Sequence, residues 1–361
     1  MRLLSIRSCR AGMRLGKKIY SEEGLVLLGE HVELTDALIR RLDQLGINYV
    51  YVEDPRTDDI TVPDMITDET RRRAMGEIRG QFRKLMDEST RRKGAPALQL
   101  SKTFGSVLNM VIDDLSRHET AMAMLMNLSI CDHYLYQHSL NVCVYSTMLG
   151  MCAGYSQDEL FTLGLGALLH DIGKTQISMD LLNKPGSLTA SEFDAMKRHA
   201  EIGYRLLKDE PNIPLLSAHC AFQHHERLDG SGYPRGIGGS EIHDFARWIG
   251  LVDSYDAMTT HRVYRGAMLP HQALEVLYTG SGTLYDKDKI ELFRDRVAIY
   301  PLGLSVQLNT GETGVVVDIN ANYPARPIVR ILQDADGQET APYEVDLSKQ
   351  HTLLITNVSE A

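Results

Sequence analysis

Phe161–His170 reads FTLGLGALLH and Asp171–Lys174 reads DIGK, so an apolar run ends on an adjacent histidine and aspartate. A carboxylate without a partner at the end of such a run would be costly to bury, and a metal ion or a cation is the natural compensation. The same pattern returns at Asp253, which interrupts the apolar stretch RWIGLVDSYDAM. The fold is therefore read as helices that carry metal ligands out of their apolar faces.

Working outward, the chain from Asp132 to about Tyr300 is helical by period, with connections such as NKPGSLT, EPNIP and DGSGYPRGIGG. Thr189 followed by Glu192 has capping-box spacing and starts an amphipathic helix that runs until Pro211. This helical middle offers His138, His170, Asp171, His199, His224, His225 and Asp253. These nitrogen and oxygen donors are too many for one tetrahedral ion, and no thiolate is among them. They suit two octahedral divalent ions completed by water, with iron or manganese ahead of cobalt, nickel and zinc. A lone helical histidine is ordinarily a surface or core residue, and it is the company of the others that changes the reading. His133 and His219 each precede a ligand histidine by five residues, which turns them off its face, so they are expected to cap or to face solvent.

On the flanks the texture changes. Residues 1–62 alternate short apolar runs with glycines around one helix, TDALIRRLDQLG, capped by Thr35 and closed by Gly46. This predicts a small α+β module. Residues 63–128 predict a helical connector: two helices around a loop at Gly94 and Pro96. Its arginines are interleaved with Asp68, Glu69, Glu77, Asp87 and Glu88, the mark of a solvated helix face. The stripe Met122, Leu125, Met126 and Ser129 reads as packing. Residues 301–361 predict a small β-rich module with a hairpin turn at Asp336-Gly337.

A formal charge of -10 over 361 residues argues against a nucleic-acid polymer as partner, since that affinity comes from Lys and Arg neutralising phosphates. No apolar run is long enough for a membrane span, and the N-terminus lacks the apolar core of a secretion signal, so a cytoplasmic protein is expected. The cysteines, Cys9, Cys131, Cys143, Cys152 and Cys220, form no CxxC pair and read as small apolar side chains.

Three segments, HDIGK, HHERLDGSGYP and DSYDAMTTHRVYR, resemble in order the motifs of the HD-GYP subgroup of HD-domain phosphohydrolases. The resemblance spans roughly Asp132 to Tyr300, within a domain placed at 129–300, and implies a mainly α protein: an all-helical, metal-dependent phosphohydrolase domain between the two small modules. It implies hydrolysis of cyclic di-GMP to linear pGpG and, with further turnover, to GMP. It also implies that His138, His170, Asp171 and Asp253 hold one metal, and His199, His224 and His225 the second, with Asp171 bridging. Some members carry a glutamate four residues before the first histidine and bind a third metal; Tyr134 stands there, so two are expected. Asp171 and Lys174 are the candidate catalytic residues, with Lys174 placed to meet a non-bridging phosphate oxygen. Tyr233, Arg262 and Arg265 join Lys174 on the substrate side, arginine forks suiting phosphates and guanine edges. Asp256, one turn after Asp253, reads as a carboxylate that positions a ligand. Another cyclic dinucleotide as substrate, and a non-catalytic cyclic dinucleotide sensor, remain open. The flanking modules would relay a signal or form a homodimer.

Overall fold

The computed structural model describes residues 1–361 except 22–23, 48, 88–99, 118–133, 261–267, 321 and 359–361. The stripe at Met122–Ser129, the loop at Gly94 and Pro96, Cys131, His133, Arg262 and Arg265 lie outside the described residues, as does the side chain of Tyr134.

In the first module, strand β1 (Arg2–Ser5) pairs antiparallel with β4 (Tyr49–Val52), and β2 (Ile19–Tyr20) with β3 (Val26–Leu28). Helix α1 (Asp36–Gln44) begins where the Thr35 hydroxyl accepts from the Leu38 amide at 3.2 Å, and Gly46, at φ +78°, carries the chain away from it.

The predicted connector helices are α2 (Asp68–Asp87) and α3 (Leu100–Ser116). On α2 Arg72, Arg73 and Arg83 are exposed and Arg71 and Arg79 half-buried, while Ala74, Met75, Ile78, Phe82 and Leu85 are buried. The helix joins two regions. Lys18 and Tyr20 of the first module bond the Asp68 carboxylate at its start, and Gln176 Nε2 donates to Leu85 O at its end, at 2.8 Å. A helix of 20 residues reaches about 30 Å between those points.

The helical body continues with α4 (Tyr134–Cys152), α5 (Gln157–Leu169), a 3-10 turn (Ile172–Gln176), α6 (Met179–Leu182) and α7 (Ala190–Leu207). It ends with α8 (Leu215–Gln223), α9 (Asp244–Thr259), α10 (Pro270–Thr279) and α11 (Lys287–Arg296). Capping boxes start α5 at Ser156/Glu159 and α7 at Thr189/Glu192. Helix α5 is buried on nearly every side, as its all-round apolar sequence requires. Small residues let its neighbours close in: a Cβ on Gly164 would meet Leu108 Cδ1 at 2.5 Å, and one on Gly166 would meet Cys220 Sγ at 2.8 Å. Cys9, Cys143 and Cys220 are buried and unpaired, as apolar residues should be. Among the described residues, no helix is long and apolar enough to cross a membrane.

At the C-terminal end, β5 (Ser305–Leu308), β6 (Thr313–Asp318), β7 (Ile328–Gln333), β8 (Glu339–Asp346) and β9 (Ile355–Val358) form one antiparallel sheet ordered β8-β7-β6-β5-β9. The turn between β7 and β8 has Gly337 at φ +77°, with Asp334 Oδ1 accepting from the Asp336 and Gln338 amides. This sheet shares a core with the start of the chain. Leu3, Tyr51, Ile60 and Val62 pack with Val306, Val315, Val329 and Ile331. Leu3 N donates to Gly303 O at 2.8 Å, and the Arg330 guanidinium is paired with both Asp59 and Glu344.

Candidate metal centre

Five elements bring their polar residues to one point. His138 comes from the second turn of α4, His170 and Asp171 from the end of α5, His199 from α7, His224 and His225 from the end of α8, and Asp253 from α9. Each helix also buries apolar side chains where it meets the core, so these polar groups need a partner there.

Hydrogen bonds fix the ring orientations. His170 Nδ1 lies 2.7 Å from Ala167 O, His199 Nδ1 2.8 Å from Met196 O, and His224 Nδ1 3.0 Å from Ala221 O. A carbonyl can only accept, so each Nδ1 carries the hydrogen and each Nε2 turns a lone pair inward. His138 is held in the same sense by Asp256 Oδ2, 2.7 Å from its Nδ1.

The inward nitrogens converge. His170 Nε2 is 3.2 Å from His138 Nε2, and His199 Nε2 is 3.3 Å from His224 Nε2. Asp171 spans both pairs: Oδ2 is 3.4 Å from His170 and 3.6 Å from His138, while Oδ1 is 3.3 Å from His199 and 3.8 Å from His224. Asp253 Oδ1 lies 3.0 Å from His138 Nε2, and its Oδ2 3.8 Å from His225 Nδ1. Two sets of ligand atoms result, His138, His170, Asp171 and Asp171, His199, His224, His225, each within 4.8 Å and sharing Asp171.

This donor set fits divalent metal ions. At the His199–His224 pair, lone pairs face each other across 3.3 Å, an arrangement that a cation relieves. Asp171 Oδ1 is buried without a hydrogen-bond partner, which a metal bond would satisfy. The Lys174 ammonium sits on Asp171 Oδ2, supplying positive charge to the cluster from within the chain.

The protonation states agree with that reading. Burial pushes His199 down to about 4 and His224 and His225 well below the usual imidazole range, leaving neutral ligands. Burial opposes charge on Asp171 too, but Lys174 and His170 outweigh it and keep the carboxylate ionised. At His138, burial is likewise outweighed by the hydrogen bonds to Asp253 and Asp256, which raise it to about 9. The proton there is the one a metal ion would displace.

Around the ligands, three glycines allow backbone to meet backbone. A Cβ on Gly173 would lie 1.9 Å from His199 O, one on Gly250 2.4 Å from His224 O, and one on Gly232 2.4 Å from His225 O. The Glu226 carboxylate, buried beside the histidine pair, accepts from the Arg235 amide at 2.9 Å and the Ile237 amide at 3.1 Å, which ties down the glycine-rich loop. That loop sets the Tyr233 ring over His225, centroids 4.6 Å apart.

The sequence-predicted ligands thus all meet in one cluster. Lys174 borders it through Asp171, Tyr233 lies at its rim, and Asp256 supports His138 from behind. His219 stands apart, half-buried against Tyr204 at 5.1 Å, so it packs on an aromatic ring instead of capping a helix. Glu226 and the glycines at 173 and 250 were not singled out by sequence; the signals were a carboxylate directly after the histidine pair and a glycine within one turn of Asp171 or Asp253.

The family pattern described as HD domain matches residues 108–288, and the pattern described as KOW domain associated with HD domain matches residues 305–361. The chain is 34% identical over 239 residues to the cyclic di-GMP phosphodiesterase PA4108 of Pseudomonas aeruginosa, covering 65% of this chain and 58% of that protein. It is 40% identical over 148 residues to the cyclic di-GMP phosphodiesterase response regulator RpfG of Xanthomonas campestris pv. campestris, covering 40% and 39%. It is 35% identical over 168 residues to the 3'3'-cGAMP-specific phosphodiesterase 3 of Vibrio cholerae, covering 46% and 36%. The chain spans less than two thirds of the length of these curated relatives.

Proposed function

The chain belongs to the HD-domain family and, within it, to the HD-GYP group, and from that premise we propose that it is a metal-dependent phosphodiesterase acting on a cyclic dinucleotide, with cyclic di-GMP as its substrate. The observation that carries the reading is the convergence of inward Nε2 lone pairs on the two oxygens of Asp171. His138, His170, Asp171 and Asp253 would hold one ion, and His199, His224 and His225 the other, with Asp171 shared. Residues 129–300 are the catalytic unit in this reading, with 1–62, 63–128 and 301–361 as its flanks.

Divalent ions, when bound, acidify water and neutralise charge on an attacked phosphoryl group. The protein's own part is positional. Backbone carbonyls and Asp256 hold the imidazoles in one tautomer, so no reorganisation is needed as the reaction proceeds. Lys174, already beside Asp171, is the cation within reach of a non-bridging phosphate oxygen. Burial, with Asp253 and Asp171 adding to it, pushes the Tyr233 phenol up, so it faces the substrate as an O–H donor. Arg262 and Arg265 are assigned to phosphates or guanine edges. The products would be linear pGpG and then GMP.

A second substrate reading has its own support, because relatives named as 3'3'-cGAMP-specific share the matched region. The ligand set supports hydrolysis of a phosphate ester and leaves the bases undetermined. Protein loaded with manganese or ferrous iron, given a panel of cyclic dinucleotides, should linearise cyclic di-GMP fastest. Preference for another cyclic dinucleotide would move the assignment, and turnover of none would overturn it in favour of a sensor. Asp171→Ala should remove both metal loading and hydrolysis.

A further inference from the structure

We propose that Phe193 is a stacking platform for one base of the cyclic dinucleotide and sets the enzyme's affinity for it. The inference deepens the phosphodiesterase reading and rests on it.

Phe193 lies in the first turn of α7 and is 47% exposed. A single exposed phenylalanine is common on protein surfaces. This one is held in place on two sides. Its ring meets Tyr233 edge-on, centroids 6.2 Å apart at 81°. The Lys197 ammonium lies 4.9 Å from its centroid, itself anchored to Asp194 at 2.7 Å. The backbone beneath is fixed as well, by the Thr189/Glu192 capping box and by the Lys184–Glu192 ion pair at 2.6 Å.

These contacts extend the rings of the metal centre into solvent. Tyr233 stacks toward His225, Phe193 follows Tyr233, and the Phe193 ring is itself half-exposed to solvent. A phosphate bound at the histidine cluster would leave the attached nucleoside, a sugar's breadth away, at this rim. A fixed aromatic with an accessible face is what a purine stacks on, and the nearby ammonium adds attraction for the electron-rich base and the phosphates.

Steady-state kinetics of F193A and F193L should show KM for cyclic di-GMP raised about 10-fold, with kcat changed far less, as expected for the loss of one stacked base. F193W should keep the wild-type KM. It also gives a readout that needs no turnover: the protein's one native tryptophan, Trp248, is only 2% exposed, so titration of F193W with cyclic di-GMP should quench the emission of the new indole. Wild-type KM in both F193A and F193L, or no quenching in F193W, would overturn the platform while leaving the phosphodiesterase assignment intact. If the wild type hydrolyses bis(p-nitrophenyl) phosphate but no cyclic dinucleotide, the substrate assignment itself fails.

Discussion

Asp256 Oδ2 lies 2.7 Å from His138 Nδ1, and the other oxygen of the same carboxylate accepts from Asn141 Nδ2 at 2.9 Å. Asn141 in turn accepts from Gln137 Nε2 at 2.7 Å, so Gln137, His138 and Asn141 of α4 and Asp256 of α9 are locked into one buried chain. The ligand His138 is aimed by a group that never faces the cluster.

Replacing Asp256 by Asn removes one of the two acceptors that His138 and Asn141 both need, and leaves an amide donor against a donor. Metal affinity should fall about 10- to 100-fold, as is typical when the partner behind a histidine ligand is lost. Metal titration of the purified variant, with circular dichroism to show that the helices persist, measures this. Unchanged affinity would mean that His138 is oriented by other contacts.

Gly173 has no room for a methyl group, since its Cβ would sit 1.9 Å from His199 O and 2.6 Å from Gly203 N, both backbone atoms. Gly173→Ala must therefore push the turn that carries Asp171 away from α7. A loss of about 3 kcal/mol in stability is expected, the upper end for overpacking a tight site. Thermal unfolding with and without added manganese should show the variant gaining less from the metal than the wild type does.

Asp114 tests the junction between α3 and the start of α2. Its Oδ2 accepts from the Thr67 amide at 2.8 Å at the start of α2. Burial opposes its ionisation, but the bonds from Thr67 and Thr70 and the nearby Arg117 charge outweigh burial and lower its pKa. A depressed carboxylate pKa stabilises the fold above the unfolded value near 4, and that contribution is lost as the pH falls through the folded value. Asp114→Asn should cost about 1–2 kcal/mol at pH 7, and the gap to the wild type should narrow below about pH 4 in urea unfolding. A gap that stays constant across that range would show that the charge is not what stabilises the junction.

Asp171 and Asp253 were legible as candidate ligands because each is a carboxylate set in an apolar run, a conflict that a partner inside the protein resolves. The capping boxes and the Asp336-Gly337 turn were legible because their chemistry is local. What sequence could not supply was anything settled by close approach between distant segments. Gly173 reads as an ordinary turn glycine until α7 is laid across it. Lys174 was expected to face a phosphate, and the fold shows it bonded first to Asp171, three residues away. Strand β1 reads as a short apolar run, and its Leu3 finds partners at Gly303 and Leu304 that no local pattern announces.

That last pairing bears on how the protein is made. Arg2 bonds Ser305, 303 residues further along the chain, and Leu3, Tyr51, Ile60 and Val62 bury their side chains against strands translated well after them. At synthesis rates of about 5–20 residues per second, the first module would wait tens of seconds on the ribosome with its apolar side uncovered. The helical body can form in the meantime from contacts near in sequence. Residues made early are thus sheltered late, which makes this seam a point where a nascent chain is open to capture by a chaperone.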